Sequence, residues 1–185
     1  MGIKSNKENI YDLTSNCFKN TFVSAPVNTI FWARERKIEP EKPYLMLTLL
    51  NDNDIKPTSE QEVGGNINEV TMYRNMVVTF SIFVDGVGAD IASNNDLATD
   101  MITHIRQQLE TIENSQYLYS KGLSIGNISG VRDLSHNVNG GFVYRYEFEC
   151  NFEYNDTIQI DGVEGKQVNL TTNSNVQQII QEAEN

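Results

Sequence analysis

An α+β fold is predicted for this chain by three observations. "GFVYRYEFECNFEY", Gly141 to Tyr154, puts Phe142, Tyr144, Tyr146, Phe148, Cys150, Phe152 and Tyr154 on every second position. "NMVVTFSIFVD", Asn75 to Asp85, alternates in the same way through Val78, Phe80, Ile82 and Val84. Between them, Ile91, Ala98, Ile102, Ile105, Leu109 and Ile112 recur at helical spacing. Alternation marks strands with one buried face, and the 3–4 spacing marks an amphipathic helix. Such pieces combine as an antiparallel or mixed sheet of long hairpins, packed against an N-terminal helix and a long central helix.

The elements follow in order. Lys7 to Phe22 reads as a helix, because Ile10, Leu13, Cys17 and Phe18 share a face, and Ser5 or Asn6 suits its start. "EPEKP" is extended, since each proline pushes its predecessor out of helical geometry. Tyr44 to Leu50 is an apolar strand. Asn51 to Asn68 is polar and lacks a period, so it reads as a long loop, flanked by segments able to form a hairpin with an extended tip. Ser93, three residues before Asp96, gives the central helix a capping signal. "KGLSIGNISGVRDL" is a glycine-punctuated strand and "SHNVNGG" a turn into the long alternating strand. The tail alternates weakly at Ile158 and Ile160, turns polar, and ends in a short helix from Asn175. Residues 1–156 are expected to form the domain, and 157–185 a C-terminal extension, a candidate arm between subunits.

The formal net charge of −11 argues against a protein that grips nucleic acid, because phosphate binding needs clustered Lys and Arg. Repulsion of DNA, binding of basic partners and plain solubility all remain compatible with it. Cys17 and Cys150 lie far apart with no metal-ligand spacing, and Cys150 falls in the apolar register of its strand. "MGIKSN" matches a myristoylation pattern only formally. No signal-peptide h-region and no apolar run of membrane-spanning length is visible, so a soluble protein of a reducing compartment is expected.

Catalytic chemistry is not indicated. His104, on the central helix, is expected to be solvated, and His136 to lie in a turn. Neither neighbours a nucleophile motif. "GNISGVRD" is no dinucleotide fingerprint, because no helix follows it. Asp52 with Asp54, and Asp85 with Asp90, offer hard-cation ligands but lack the EF-hand spacing and read as solvated loop carboxylates. No enzyme, cofactor or metal is expected. A competing reading is a monomeric β-rich module that binds carbohydrate or peptide, with Trp32, Tyr44 and Tyr73 as stacking platforms. Against it, Trp32 more simply anchors the extended segment to the core.

A strand from Phe142 to Tyr154 spans roughly 40 Å at about 3.3 Å per residue. Ordinary strands have about five or six residues. An edge of that length invites pairing with another chain, which a ring of subunits puts to use, while a tightly twisted long hairpin packed under the two helices explains the length equally well. On its polar side Arg145, Glu147, Glu149 and Glu153 read as a wet sheet face or an interface, and are the candidate interface strand.

The order of pieces resembles the neck and tail terminator family of tailed bacteriophages. The matching stretches are the first helix, "NTIFWARERKIEPEKPYLMLTLL", "RNMVVTFSIFVDG", "LATDMITHIRQQL", "GLSI", "GVRDLS" and the strand from "FVYRYEF", over about Lys7 to Tyr154. That resemblance implies a virion structural protein, assembled in the host cytoplasm. It implies a ring, typically of six subunits, that caps the tail tube and joins tail to head while DNA passes without tight binding. Its partners are then further copies, the tail tube, the sheath, and head-connector or neck proteins, or else the chain is another neck or tail-tube component. Acidic walls suit such a lumen, and Asp52, Asp54, Glu60 and Glu62 are the candidate lining residues, their field reaching about 8 Å at physiological salt.

Overall fold

The computed structural model describes residues 3–19, 29–35, 38–63, 66–85, 91–138, 141–163 and 167–170, with only the backbone course at 3, 18–19, 53–70, 91–93 and beyond 157. Three strands dominate it. β2 (Tyr44–Val63) and β3 (Asn66–Asp85) are each 20 residues long, and β7 (Gly141–Val163) has 23. β3 lies between the other two. It pairs antiparallel with β2 from Tyr44↔Phe83 to Val63↔Asn66, and with β7 from Asp85↔Val143 to Glu69↔Gln159.

Short strands finish the sheet. β1 (Thr29–Trp32) runs parallel to β2 beside Tyr44–Leu47 and makes the sheet mixed. β4 (Leu123–Ile128), β5 (Arg132–Asp133) and β6 (His136–Val138) take the edge of β7 that β3 leaves free. β8 (Gln167–Leu170) pairs antiparallel with the far end of β7.

The helices are α1 (Ile3–Lys19), α2 (Ile91–Leu109) and α3 (Ile112–Ser120). Even-numbered residues of β3 and β7 face them. Met76, Val78, Phe80, Ile82, Phe148, Cys150 and Phe152 are buried with Ala98, Met101, Ile102, Ile105 and Leu109 of α2. Phe80 and Phe148 stack 4.8 Å apart at the centre. The Tyr146 hydroxyl donates to Asn95 Oδ1 at 2.6 Å, and Arg106 Nε donates to the Ser129 carbonyl at 3.0 Å. These bonds fix α2 along the sheet. Ile10, Leu13 and Cys17 of α1 complete the layer. The α+β class and the core that alternation implied are therefore present.

Several local expectations are corrected. Asn51 to Asn68 is not a loop. β2 and β3 run through it as one hairpin, leaving only residues 64–65 outside the description. Register shifts at Leu49/Asn51, Asp54/Lys56, Pro57/Ser59 and Gln61/Glu62 scramble the alternation there. The central helix ends at Leu109, and Ile112 opens α3 instead of closing the core face. Thr111 caps α3 by accepting from the Asn114 N–H, and Gly122, at φ 74°, turns the chain out of it in a conformation that favours glycine. Ser93 lies inside α2, and Ser5 and Asn6 inside α1, so none of them is a cap. "SHNVNGG" begins as strand β6 rather than as a turn. The expected end of α1 at Phe22 and the helix from Asn175 lie outside the described residues. β7 passes residue 156 without a break, so the boundary expected there falls within a strand.

Candidate functional site: the arm base and the open sheet face

On the helix side, the buried core ends at Met76 of β3 and Tyr154 of β7 among the described residues. The three long strands continue past it. From Asp54↔Arg74 to Val63↔Asn66 the hairpin extends roughly 25–30 Å at about 3.3 Å per residue. β7 accompanies β3 as far as Gln159. This extension is an arm.

A polar cluster sits at its base, on the face the core occupies further along. Arg74 is only 6% exposed. Its Nη2 lies 3.2 Å from Asp52 Oδ2, and its Nη1 donates to Asp156 Oδ2 at 3.2 Å. The Tyr154 hydroxyl donates to Asp52 Oδ1 at 2.9 Å, and the Arg74 guanidinium lies 5.9 Å from the Tyr154 ring centre. Burial, and then the Asp52 carboxylate, push the Tyr154 phenol pKa upward, so it stays a donor. One cation thus ties β2, β3 and β7 together where the apolar core stops. A buried charge needs such partners, and removing them leaves a large desolvation cost.

Asp52 was expected as a solvated or lumen-lining carboxylate. Its side chain is 8% exposed and bound to Arg74, so the structure places it in this interior cluster instead. Asp54, Glu60 and Glu62 fall on the arm strand β2, and their side chains lie outside the described residues. Asp85 is paired with Lys42 at 3.2 Å, and Asp90 is outside the description.

Among the described residues no helix covers the opposite face of the sheet. The four residues singled out on β7 fall there, but β7 is not an edge strand. Its two edges are held by β3 and by β4 to β6. Backbone pairing with another chain along the core part of β7 is therefore ruled out, and these residues offer a face, not an edge. Glu147 is 7% exposed. Its Oε2 accepts from Ser81 Oγ at 3.1 Å and from Arg145 Nη2 at 3.0 Å, and its Oε1 accepts from Arg132 Nη2 at 3.1 Å. Arg132 also binds Glu149. Arg145 lies 5.2 Å from the Phe83 ring centre, Phe83 stacks on Tyr44 at 4.7 Å, and Phe31 joins them at 5.5 Å from Tyr44. Glu153 is half-buried and bonds the Tyr73 hydroxyl. Arg132 was not identified from sequence. Its position in β5, opposite Glu147, is what brings it in.

Other expectations resolve here. Trp32 and Tyr44 are buried, so neither is an exposed stacking platform. Lys7 Nζ lies 4.6 Å from the Trp32 ring centre, on the side where α1 meets β1. His104 is half-buried rather than solvated. Burial lowers its pKa, and a hydrogen bond to the Cys17 backbone opposes that shift. Cys17 and Cys150 are buried free thiols, and burial raises the Cys17 pKa to about 11. Among the described residues no three His, Cys, Asp or Glu side chains group to hold a metal, and no helix is long and apolar enough to cross a membrane.

Long ladders, an arm beyond the core and a charged, aromatic sheet face are features that suit a structural protein of an assembly. The chain belongs to the phage neck terminator family, whose model matches residues 8–176. The match runs beyond Tyr154 and takes in the whole arm with β8. A comparison with curated proteins finds no match. That family is structural, places the protein in the neck or tail of a virion, and implies contact with other neck and tail proteins.

Proposed function

We propose that the protein forms a ring, of six subunits as is typical for such proteins, that closes the tail tube and joins it to the head while DNA passes through. The observation that carries this reading is the arm. A lone soluble domain gains little from strands that continue some eight residues past its core, whereas a ring uses them to reach a neighbour or the tube. β2 supports it further. Among the described residues, β1 covers its outer edge only at Tyr44–Leu47, and the rest is available for strand pairing. Composition suits a lumen. The hairpin from Asp54 to Glu69 carries Asp54, Glu60, Glu62 and Glu69 against the single cation Lys56. Such a surface repels passing phosphates at short range. The face around Arg132 and Arg145, held by the buried Glu147, with half-buried Phe31 and Phe83 at its rim, is proposed as the second contact surface, toward the tube or the adjoining neck protein.

Shortening the arm tests this. Lys56 and Tyr73 are cross-strand partners, so residues 57–72 can be replaced by Asn-Gly, a two-residue hairpin turn. The shortened subunit is expected to fold, by circular dichroism and urea melts, yet to fail in forming rings by electron microscopy and in completing virions. Rings and infectious particles formed by the shortened protein refute the reading.

A further inference from the structure

Among the described residues, four large apolar side chains are more than half exposed: Ile38, Leu50, Ile112 and Tyr119, at 81%, 54%, 77% and 79%. They fall at the two lateral edges of the sheet, two at each. Ile38 lies in the β1–β2 connection, and Leu50 on β2 beyond Leu47, where β1 stops. Ile112 and Tyr119 stand two turns apart on one face of α3, beside the edge strand β4. With Gln116, Ser124 and Ile125 they line a groove between α3 and β4. Single exposed apolar residues are ordinary, but such patches mark contact surfaces.

The backbone register sets Leu50 level with that groove. Leu49 pairs with Val78 and Asn51 with Val77, so Leu50 is the extra residue of a bulge and has no partner on β3. A bulge at a sheet edge bends the strand and re-aims a side chain. The rung through Leu49 runs by Val78 and Cys150 to Ile128, and the rung through Asp52 by Met76 and Phe152 to Ile125. The knob on one edge and the groove on the other thus stand at one level along the strands. Head-to-tail contacts close into a ring when rotation alone relates the copies, and grow into a filament when it does not. Two patches at one level meet that condition with the strands along the ring axis.

Charge is complementary at the same places. The Ala33 N–H donates to the Leu47 carbonyl at 2.7 Å, so Arg34 follows at the β2 edge on the way to Leu50. Arg34 is exposed and held at φ 72°, while Glu35 beside it is bound by Lys7. Across the molecule Glu110 lines the groove, and Glu113 is exposed next to Ile112.

We propose that these edges are the two halves of one contact between copies of this chain. Leu50 of one subunit enters the α3–β4 groove of the next, and Arg34 meets Glu110 and Glu113 at its rim. The inference rests on the ring reading and names the ring's interface. With every contact at one level, all arms leave the same face of the ring.

The test links the two edges in assembled particles. A Leu50→Cys, Tyr119→Cys variant is oxidised with diamide and its products are separated under denaturing conditions. Cys17 and Cys150 are buried and do not compete. A ladder of linked subunits extending beyond the dimer, with each single variant staying monomeric, supports the proposal. Dimers from either single variant overturn it, because like edges then meet like. No ladder from particles whose rings are visible by electron microscopy overturns the contact and leaves the ring reading standing. Native particles without a ring overturn both. A second variant reads the contact without cysteines. Leu50→Asp should keep the urea midpoint of the subunit, since Leu50 is exposed, yet lower the yield of rings at least about tenfold by placing a charge in an apolar groove. An unchanged yield of rings overturns the proposal.

Discussion

Arg74→Met is the perturbation that most directly asks what holds the arm to the core. The guanidinium meets Asp52 and Asp156, each at 3.2 Å, with Arg74 nearly fully buried. At a charge separation of about 4 Å and an effective dielectric of about 20, each pair gains about 4 kcal/mol of Coulomb energy. Desolvation of three charges takes most of that back, so the intact cluster is a weak net stabiliser. Removing the cation alone is different. It strands two poorly hydrated carboxylates beside each other, and the expected loss is about 3–5 kcal/mol. Domains have only about 5–15 kcal/mol in all, so the urea midpoint should fall steeply.

The triple variant Arg74→Met, Asp52→Asn, Asp156→Asn separates charge from packing. The amide oxygen introduced in place of the Asp52 carboxylate still accepts from Tyr154, the charges are gone, and the loss should shrink to under about 2 kcal/mol. Urea melts by circular dichroism measure both, and m-values report whether the folded state stays equally compact. A loss below about 1 kcal/mol for Arg74→Met would show that the cluster is hydrated and does not anchor the arm. A triple variant no better than the single one would show that Arg74 acts through packing.

Two further outcomes are expected. His104 has a pKa lowered chiefly by burial, so the unfolded chain binds its proton more readily than the folded one. Its share of stability is full above the unfolded pKa of about 6.5 and is lost as pH falls below it. Urea midpoints should therefore drop from pH 7.5 to pH 5.5 more in the native protein than in His104→Gln, and parallel curves would contradict this. Neutralising Asp54, Glu60 and Glu62 to Asn and Gln should leave rings intact but slow DNA ejection, more so at low salt, where screening reaches further. Normal ejection at every salt concentration, with reduced solubility alone, would place these carboxylates on the outside.

Much of the core was legible because alternation and helical spacing are direct consequences of a two-layer core. Phe80, Ile82, Ile102, Ile105, Leu109, Phe148 and Phe152 are all buried where that logic put them. The arm was not legible, and Asn51 to Asn68 shows why. Its strands do not sit on the described apolar core, so no hydrophobic pattern is imposed on them, and four register shifts remove what period remains. Pro57 also argues against a strand, yet among the described residues β2 has a partner on only one side there, where proline is tolerated. β1 escaped notice because four residues carry too little pattern. The break between α2 and α3 had a signal that spacing overrode. Thr111 with Glu113 in the first turn marks a helix start, although Ile112 continues the apolar spacing from Leu109.

The polar side of β7 tests the limits of reading charge from sequence. Alternation correctly separates Arg145, Glu147, Glu149 and Glu153 from the core face, but it is silent on where their partners lie. Arg132 comes from fifteen residues before Glu147, and Ser81 from a strand 66 residues away. Once they meet, Glu147 is interior and bound, not one more acid on a wet surface. Asp52 and Asp156 are likewise held by Arg74. Pairing leaves the net charge at −11 but changes where its field is felt. In the sheet body Asp52, Asp156, Glu147 and Glu149 face nearby arginines and act as struts between strands. Along the arm, Asp54, Glu60, Glu62 and Glu69 have one lysine among them in sequence. Under the proposed ring, the acids offered to a passing polyanion are those of the arm. For the DNA-conducting ring proposed above, that distribution matters more than the total charge, and it makes the arm the part of this chain to alter when ejection is the readout.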